Sequence, residues 1–268
     1  MSSDDPAVHE AVVRQTLAWI ADADLAQSPP IFAQHIHRRL RALTSDPDPH
    51  SEAKARHNQM ALALLPRLRK KVAASPNPLK TAVGLAIAGN VIDMGAKTNV
   101  DRSDVGEAID QALGEPLAGQ VDEFCQAAKA ADSILYLTDN AGEIAFDRLL
   151  IEQLGPDRVT VAVRGAPVIN DATLADAQTV GLHELTTVIK NGSDAPGTIL
   201  SDCSPEFRAL YDAADMVIAK GQGNFESLSD EPRDIFFLFK VKCQVVADQV
   251  DAPLGAHLVR RSRSAAKQ

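Results

Sequence analysis

The sequence predicts an α/β protein: a mainly parallel sheet covered by helices on both faces and preceded by a helical part. Two observations carry that expectation. From Ala7 to about Ala74 apolar residues recur at helical spacing, as in "VVRQTLAWIADADL" and "MALALLPRLRKKVAA". After Asp132 short β-rich runs take over: "SILYLTD", "VTVAVRG", "ELTTVIKNG", "MVIAKG" and "IFFLFKV", most of them separated by enough chain for a helix. Apolar strands that alternate with helices imply parallel pairing, because each parallel connection has to cross over a face of the sheet.

Taken in order, the first half breaks at "SPP" and "SDPDPH", where proline and polar turn residues interrupt the helical period. "PLKTAVGLAIAGNVIDMG" is small and apolar almost all round, which predicts a helix buried between layers. "QVDEFCQAAKAAD" supplies one more helix ahead of the strands. The boundaries expected are a helical subdomain over residues 1–115, the sheet-bearing core over 116–258, and a flexible basic tail over 259–268 ending in "RRSRSAAKQ".

Composition narrows the function. The 268 residues include 27 basic and 36 acidic side chains, a formal net charge of -9, which argues against general affinity for nucleic acid or anionic lipid. Cys125, Cys203 and Cys243 lie too far apart for a disulfide framework or a zinc knuckle. The N-terminus has no basic run before an apolar core, and no stretch approaches the ~20 apolar residues of a membrane helix. A cytoplasmic location is expected. The seven histidines show no metal-ligand spacing and read as structural or solvated.

In open α/β sheets ligands bind outside the carboxyl ends of the strands. All five expected strand ends are polar: Asp139 and Asn140; Arg164 followed by "PVIND" with Asn170 and Asp171; Lys190, Asn191 and Asp194; Lys220 before "GQGNFES"; and Lys240 with Lys242. Acids and amides come first and lysines last, a division that suits a cleft holding a cation at one side and a phosphate at the other. Carboxylate and amide oxygens are hard donors suited to Mg²⁺ or Mn²⁺. Asp139, Asn140 and Asp171 supply them, and if their strands are neighbours the strand ends lie about 5 Å apart. Ordinary helix N-capping accounts for "DN" and for Asp171 as well, and the recurrence at successive strand ends is what favours the ion.

For the anion, the helix opening at "NAGEI" offers backbone N–H groups, with Gly142 allowing close approach. "GQGNFES" is either a phosphate loop or a plain turn. Lys240 and Lys242, two apart, share one side of a strand or are solvated edge lysines. Asn90 and Asp93 lie on one face of the apolar helix, as a structural hydrogen bond or as a wall of the site.

The segments "DPHSEAKARHNQMAL", "GNVIDMG", "LTDNAGEIAFD", "VRGAPVINDAT", "NGSDAPGTIL", "AKGQGNFESL" and "FLFKVKC", in this order over about Asp46 to Val250, resemble the damage-control phosphatase family. The resemblance implies a three-layer α/β/α, Rossmann-like fold with an N-terminal helical part. It also implies metal-dependent hydrolysis of phosphate esters on small metabolites, such as sugar phosphates, phosphopantetheine derivatives or damaged phospho-metabolites. Asp139, Asn140 and Asp171 correspond to the family's metal ligands, for Mn²⁺, Mg²⁺, Co²⁺ or Ni²⁺. Glu143, Asn224 and Lys240 correspond to its substrate contacts, to which Asn90, Arg164, Asn170 and Lys220 are added here from their positions. An N-terminal Cys-x-x-Cys shared by many microbial relatives is lacking, since the first cysteine is Cys125.

The competing expectation is a non-catalytic Rossmann-type nucleotide or metabolite binder using "GQGNF". Its loop falls late in the sheet, and the first strand lacks G-x-G-x-x-G. Protein carboxyl methylation ranks last, because no glycine-rich first turn suits a methyl donor.

Overall fold

The structure, a computed structural model, describes residues 5–89 and 102–262. The expected breaks mark real helix starts. Asp5 caps α1 (Pro6–Ala21) by accepting from the Ala7 amide, Ser28 precedes the two prolines that open α2 (Pro29–Thr44), and α3 (Ser51–Ala73) follows "SDPDPH". Helix α4 (Pro78–Ala88) is capped by Asn77, and every residue from Ala82 to Ala88 is buried, as its nearly uniform apolarity requires. Helix α5 (Arg102–Gly114) completes the first half.

The rest alternates strands and helices: β1 (Leu117–Gly119), α6 (Val121–Ala130), β2 (Ile134–Leu137), α7 (Glu143–Leu154), β3 (Val159–Val163), α8 (Leu174–Thr179), β4 (Thr187–Lys190), α9 (Pro205–Ala213), β5 (Met216–Lys220), α10 (Gln222–Leu228), β6 (Ile235–Lys240), α11 (Gln244–Val250) and β7 (His257–Arg261). The strands form one seven-stranded sheet in the order β1-β7-β6-β5-β2-β3-β4. Pairing is parallel throughout except between β6 and β7.

Side-chain alternation along the strands sorts the core into two layers. Ile134, Tyr136, Val161, Ile218 and Leu238 pack with Leu65, Leu85 and Leu149 from α3, α4 and α7. Leu135, Leu137, Val217, Phe237 and Phe239 pack with Phe207, Leu228 and Val246 from α9, α10 and α11. Helices therefore cover both faces, and the fold is the three-layer α/β/α arrangement expected. The helices before residue 115 do not stand apart, because α3 and α4 share their core with the sheet.

Two strands escape the sequence pattern. β1 is only three residues long, and β7 runs into the stretch expected to be a basic tail. The core thus extends past residue 258: Val259 is fully buried, and Ser262 still donates its amide to Ile235 O at 2.8 Å.

After β2 the chain moves outward to β3 and β4, then returns to place β5 on the other side of β2. The carboxyl ends of β2 and β5 consequently flank the point where the winding reverses, the usual position of a ligand crevice in such sheets.

Candidate active site

Asp139 and Asn140 leave the end of β2 and meet the loop after β3 in a short antiparallel ladder. Ala172 donates its amide to Asp139 O at 2.8 Å, Ala141 donates to Asn170 O at 2.8 Å, and Asn140 lies opposite Asp171. Backbone pairing therefore brings together three residues that the sequence sets up to 32 positions apart, and all three side chains are buried.

The amide of Asn140 is oriented by its neighbours. Its Nδ2 donates to Asp139 Oδ2 at 3.1 Å and to Glu143 Oε1 at 3.3 Å. With its NH₂ facing these carboxyl groups, Asn140 turns Oδ1 away from them as an acceptor. Asp171 Oδ2 accepts from Arg164 Nε at 2.7 Å. Gly221, at φ 83°, gives Asp139 room: a Cβ there would stand 2.1 Å from Asp139 Oδ2. A Cβ on Gly223 would stand 2.2 Å from Pro196 O. The glycines of "GQGNF" accommodate protein atoms, which counts against a phosphate loop.

Electrostatics follow from burial. Burial raises the Asp139 carboxyl to about 8, Glu143 adds to the rise, and Lys242 opposes it. Burial likewise raises Asp171, against the opposing pull of Arg164. When ionised, the four buried carboxylates of Asp139, Glu143, Asp147 and Asp171 face two buried cations, Arg164 and Lys220, leaving an excess of two negative charges. Asp139, Asn140 Oδ1 and Asp171 are the hard oxygens this arrangement offers, a donor set and a charge that fit one divalent cation. Among the described residues, no three His, Cys, Asp or Glu side chains form a metal-binding group. The set offered is two carboxylates and an amide, with Glu143 turned toward Asn140 and Lys220.

Several expected substrate contacts prove to be internal struts. Lys220 is fully buried and donates to Ala86 O at 2.7 Å, Asp147 Oδ1 at 2.9 Å and Glu143 Oε2 at 3.4 Å, which uses its three N–H bonds. Burial alone would lower its pKa, but Asp147 and Glu143 outweigh it and raise it. Asn224 donates to Thr138 O and Lys220 O at 3.1 and 2.7 Å and accepts from Thr198 Oγ1 at 2.8 Å, tying β2 to β5. Gly142 is also engaged, its amide donating to Asn58 Oδ1 at 2.7 Å, so the opening of α7 is not the free anion site expected.

Lys240, at the end of β6, stands opposite His257 of β7 and lowers that histidine's pKa after the larger effect of burial. The lysine whose charge acts on Asp139 and Asp171 is Lys242, exposed, with its amide held by Gln222 Oε1 at 3.0 Å. Asn191 and Asp194 brace loops and α2 instead: Asn191 Oδ1 accepts from Gly165 N at 2.9 Å, and Asp194 pairs with Arg38 and Arg41. Asn90 and Asp93 lie outside the described residues.

Two buried donor atoms beside these strand ends, Arg164 Nη2 and Asn170 Nδ2, have no hydrogen-bond partner among the described residues. An unpaired buried donor is costly, which makes both natural contacts for a bound oxyanion. Sequence reasoning named both residues but missed Asp147, Thr198 and Asn58, none of which follows a strand directly.

A buried set of oxygen donors thus lies at the switch point of a doubly wound sheet, where such folds hold their ligands. Comparison with known proteins makes this specific. The family described as "Damage-control phosphatase ARMT1-like domain" matches residues 1–258. Damage-control phosphatase PH1575 of Pyrococcus horikoshii is 36% identical over 240 residues, covering 88% of this chain and 82% of that protein. A damage-control phosphatase of Archaeoglobus fulgidus is 35% identical over 229 residues, covering 84% and 79%. The uncharacterized protein MJ0202 of Methanocaldococcus jannaschii is 34% identical over 273 residues, covering 96% and 88%. The crystal structure of a DUF89 family protein from P. horikoshii superposes with a TM-score of 0.89 at 33% identity, covering 98% of this chain and 92% of that one. The chain belongs to the damage-control phosphatase family, a family of phosphatases.

Proposed function

We propose that this phosphatase is divalent-metal-dependent and hydrolyses phosphate monoesters of small metabolites, among them sugar phosphates, phosphopantetheine derivatives or damaged phospho-metabolites. The observation that carries the reading is the convergence of buried Asp139, Asn140 and Asp171 at the end of β2, beside two donors that no described residue pairs. Asp139, Asn140 Oδ1 and Asp171 would hold the cation, for which Mn²⁺, Mg²⁺, Co²⁺ and Ni²⁺ are the candidates. The bound cation supplies Lewis acidity toward a phosphoryl oxygen.

The chain's own groups do the rest. Arg164 Nη2 and Asn170 Nδ2 donate to the remaining phosphoryl oxygens, and the Arg164–Asp171 bond fixes the guanidinium plane. Lys242, exposed beside Asp139 and Asp171, adds positive potential where charge develops on the transferring group. Glu143 and Lys220 hold Asn140 and the start of α7 in place from below. Phosphorus is attacked by water, or by the carboxylate of Asp139 or Asp171 to give an acyl phosphate that water then hydrolyses; in either route the P–O bond to the leaving alkoxide breaks and the alkoxide takes up a proton from that water. Trapping a phosphorylated aspartate marks the second route; its absence during rapid turnover marks the first.

No described helix is long and apolar enough to cross a membrane, and the three cysteines are free, which suits a reducing cytoplasm. The test is phosphate release from a generic aryl phosphate with and without each metal, followed by a panel of sugar phosphates and phosphorylated cofactor intermediates. Metal-stimulated release supports the reading, whereas tight nucleotide binding without it favours a non-catalytic binder.

A further inference from the structure

One side chain of α3, Asn58, bonds both to the turn that follows the Asp139–Asn140 pair and to the first turn of α8, which follows the Asp171 loop. Asn58 lies in the middle of α3 and is 1% exposed. Its Oδ1 accepts from the Gly142 amide at 2.7 Å, three residues beyond Asp139. Its Nδ2 donates to Asp176 Oδ1 at 2.9 Å, five residues beyond Asp171. Gly142 has φ 82°, so the hydrogen bond lands on the turn that directs the chain from the donor pair into α7.

Asp176 is itself held firmly. Its Oδ2 accepts from Thr173 N at 2.9 Å and Thr173 Oγ1 at 2.6 Å, closing the capping box that starts α8. Lys54, one helical turn before Asn58, reaches Asp176 Oδ2 at 3.3 Å and Asp48 Oδ2 at 2.6 Å. Buried Lys54 and Asn58 thus act together, the lysine anchoring the acid and the amide measuring the distance from it to Gly142.

We infer that Asn58 is a positioning residue for the cation site: its carboxamide sets the spacing between the Asp139–Asn140 loop and the Asp171 loop, and cation affinity depends on it although it provides no ligand atom. The inference rests on the proposed metal site. Its physical basis is that donor oxygens bind an ion in proportion to how well their geometry is fixed in advance, and partners outside the ligand shell are what fix it. The ladder between the loops has few backbone bonds, and Asn58 is the side chain of α3 that bonds to both.

The pair also has a swap that tests positioning apart from packing. In Asn58→Asp an oxygen still accepts from Gly142, but a carboxylate now faces Asp176. Adding Asp176→Asn exchanges donor and acceptor: the new amide donates to the new acid, while its oxygen still accepts from Thr173. Total charge and volume are conserved.

The experiment is a calorimetric titration of Mn²⁺ into the full-length chain, with the urea unfolding midpoint measured alongside. Expected is a loss of Mn²⁺ affinity of about 10–100-fold for Asn58→Ala and Asn58→Asp, with recovery to within several-fold of the parent in the Asn58→Asp, Asp176→Asn double variant. Should Asn58→Ala fail to fold, the isosteric Asn58→Asp variant and the double variant decide. Unchanged Mn²⁺ affinity in Asn58→Asp overturns the inference, as does a double variant that regains the unfolding midpoint without regaining Mn²⁺ affinity. Failure of the parent chain to take up Mn²⁺ is seen before any substitution is made; it removes the metal reading and this inference with it.

Discussion

Gly221 lies against the carboxylate of Asp139 so closely that a methyl group in place of its hydrogen would stand 2.1 Å from Oδ2. The glycine at the end of β5 thus sits directly against the carboxylate that follows β2. Gly221→Ala must push Asp139 out of place and also carries about 1–3 kcal/mol of strain, because φ 83° with ψ 160° is a region almost confined to glycine. Phosphate release is expected to fall at least tenfold in Gly221→Ala while circular dichroism keeps its α/β signature.

Lys220 is the counter-charge for two buried acids, so Lys220→Met is expected to cost about 3–5 kcal/mol by leaving them unbalanced. Adding Asp147→Asn removes one of those charges and is expected to recover part of the loss. Urea denaturation of the single and double variants measures both.

The Asp139 carboxyl, ordinarily near 3.8, rises to about 8 in the folded chain chiefly through burial. Folding therefore favours its protonated form. The stability this contributes is complete below the ordinary carboxyl value and is lost as pH climbs through about 8. On the proposed function a divalent cation takes the place of the proton, so the rise in Tm on adding Mn²⁺ is expected to be small at about pH 5.5 and larger at about pH 8.5, with protons released on binding. Thermal scans at the two pH values, and calorimetry in buffers of different ionisation enthalpy, check this.

Lys242, rather than Lys240, supplies the exposed positive charge that acts on Asp139 and Asp171. Of the two alanine substitutions, Lys242→Ala is expected to have the larger effect. It should raise KM for phosphate esters several-fold at low salt, an effect shrinking as ionic strength rises, and should move the acid limb of the pH–rate profile upward because a cation beside the carboxylates is lost. Kinetics at two salt concentrations separate the two lysines.

Much of this architecture was legible in the sequence because buried parallel strands announce themselves as apolar runs. β2 to β6 were all read from such runs, and the residues after β2 and β3 were read as the donor set that the loops bring together. β1 was too short to show a period, and β7 was masked by the arginines that continue its chain. Lys220 was misjudged for a different reason. It ends its strand, but by alternation it shares a face with Met216 and Ile218, the face covered by α4 and α7, and that parity was readable. Asn224 sits in a turn-and-helix segment whose inward direction is set by Thr198 and Arg164, neither near it in sequence. Asn58 is a polar residue inside α3 with no signal of its own in the sequence, and only the tertiary contact with Gly142 and Asp176 shows what it holds.

The most direct measurement is the stoichiometry of Mn²⁺ binding to the chain and to Asp139→Ala and Asp171→Ala, paired with phosphate release from an aryl phosphate. One ion per chain in the parent, lost together with release in both folded variants, is the predicted result. Undiminished ion binding and metal-stimulated release in both variants would contradict it.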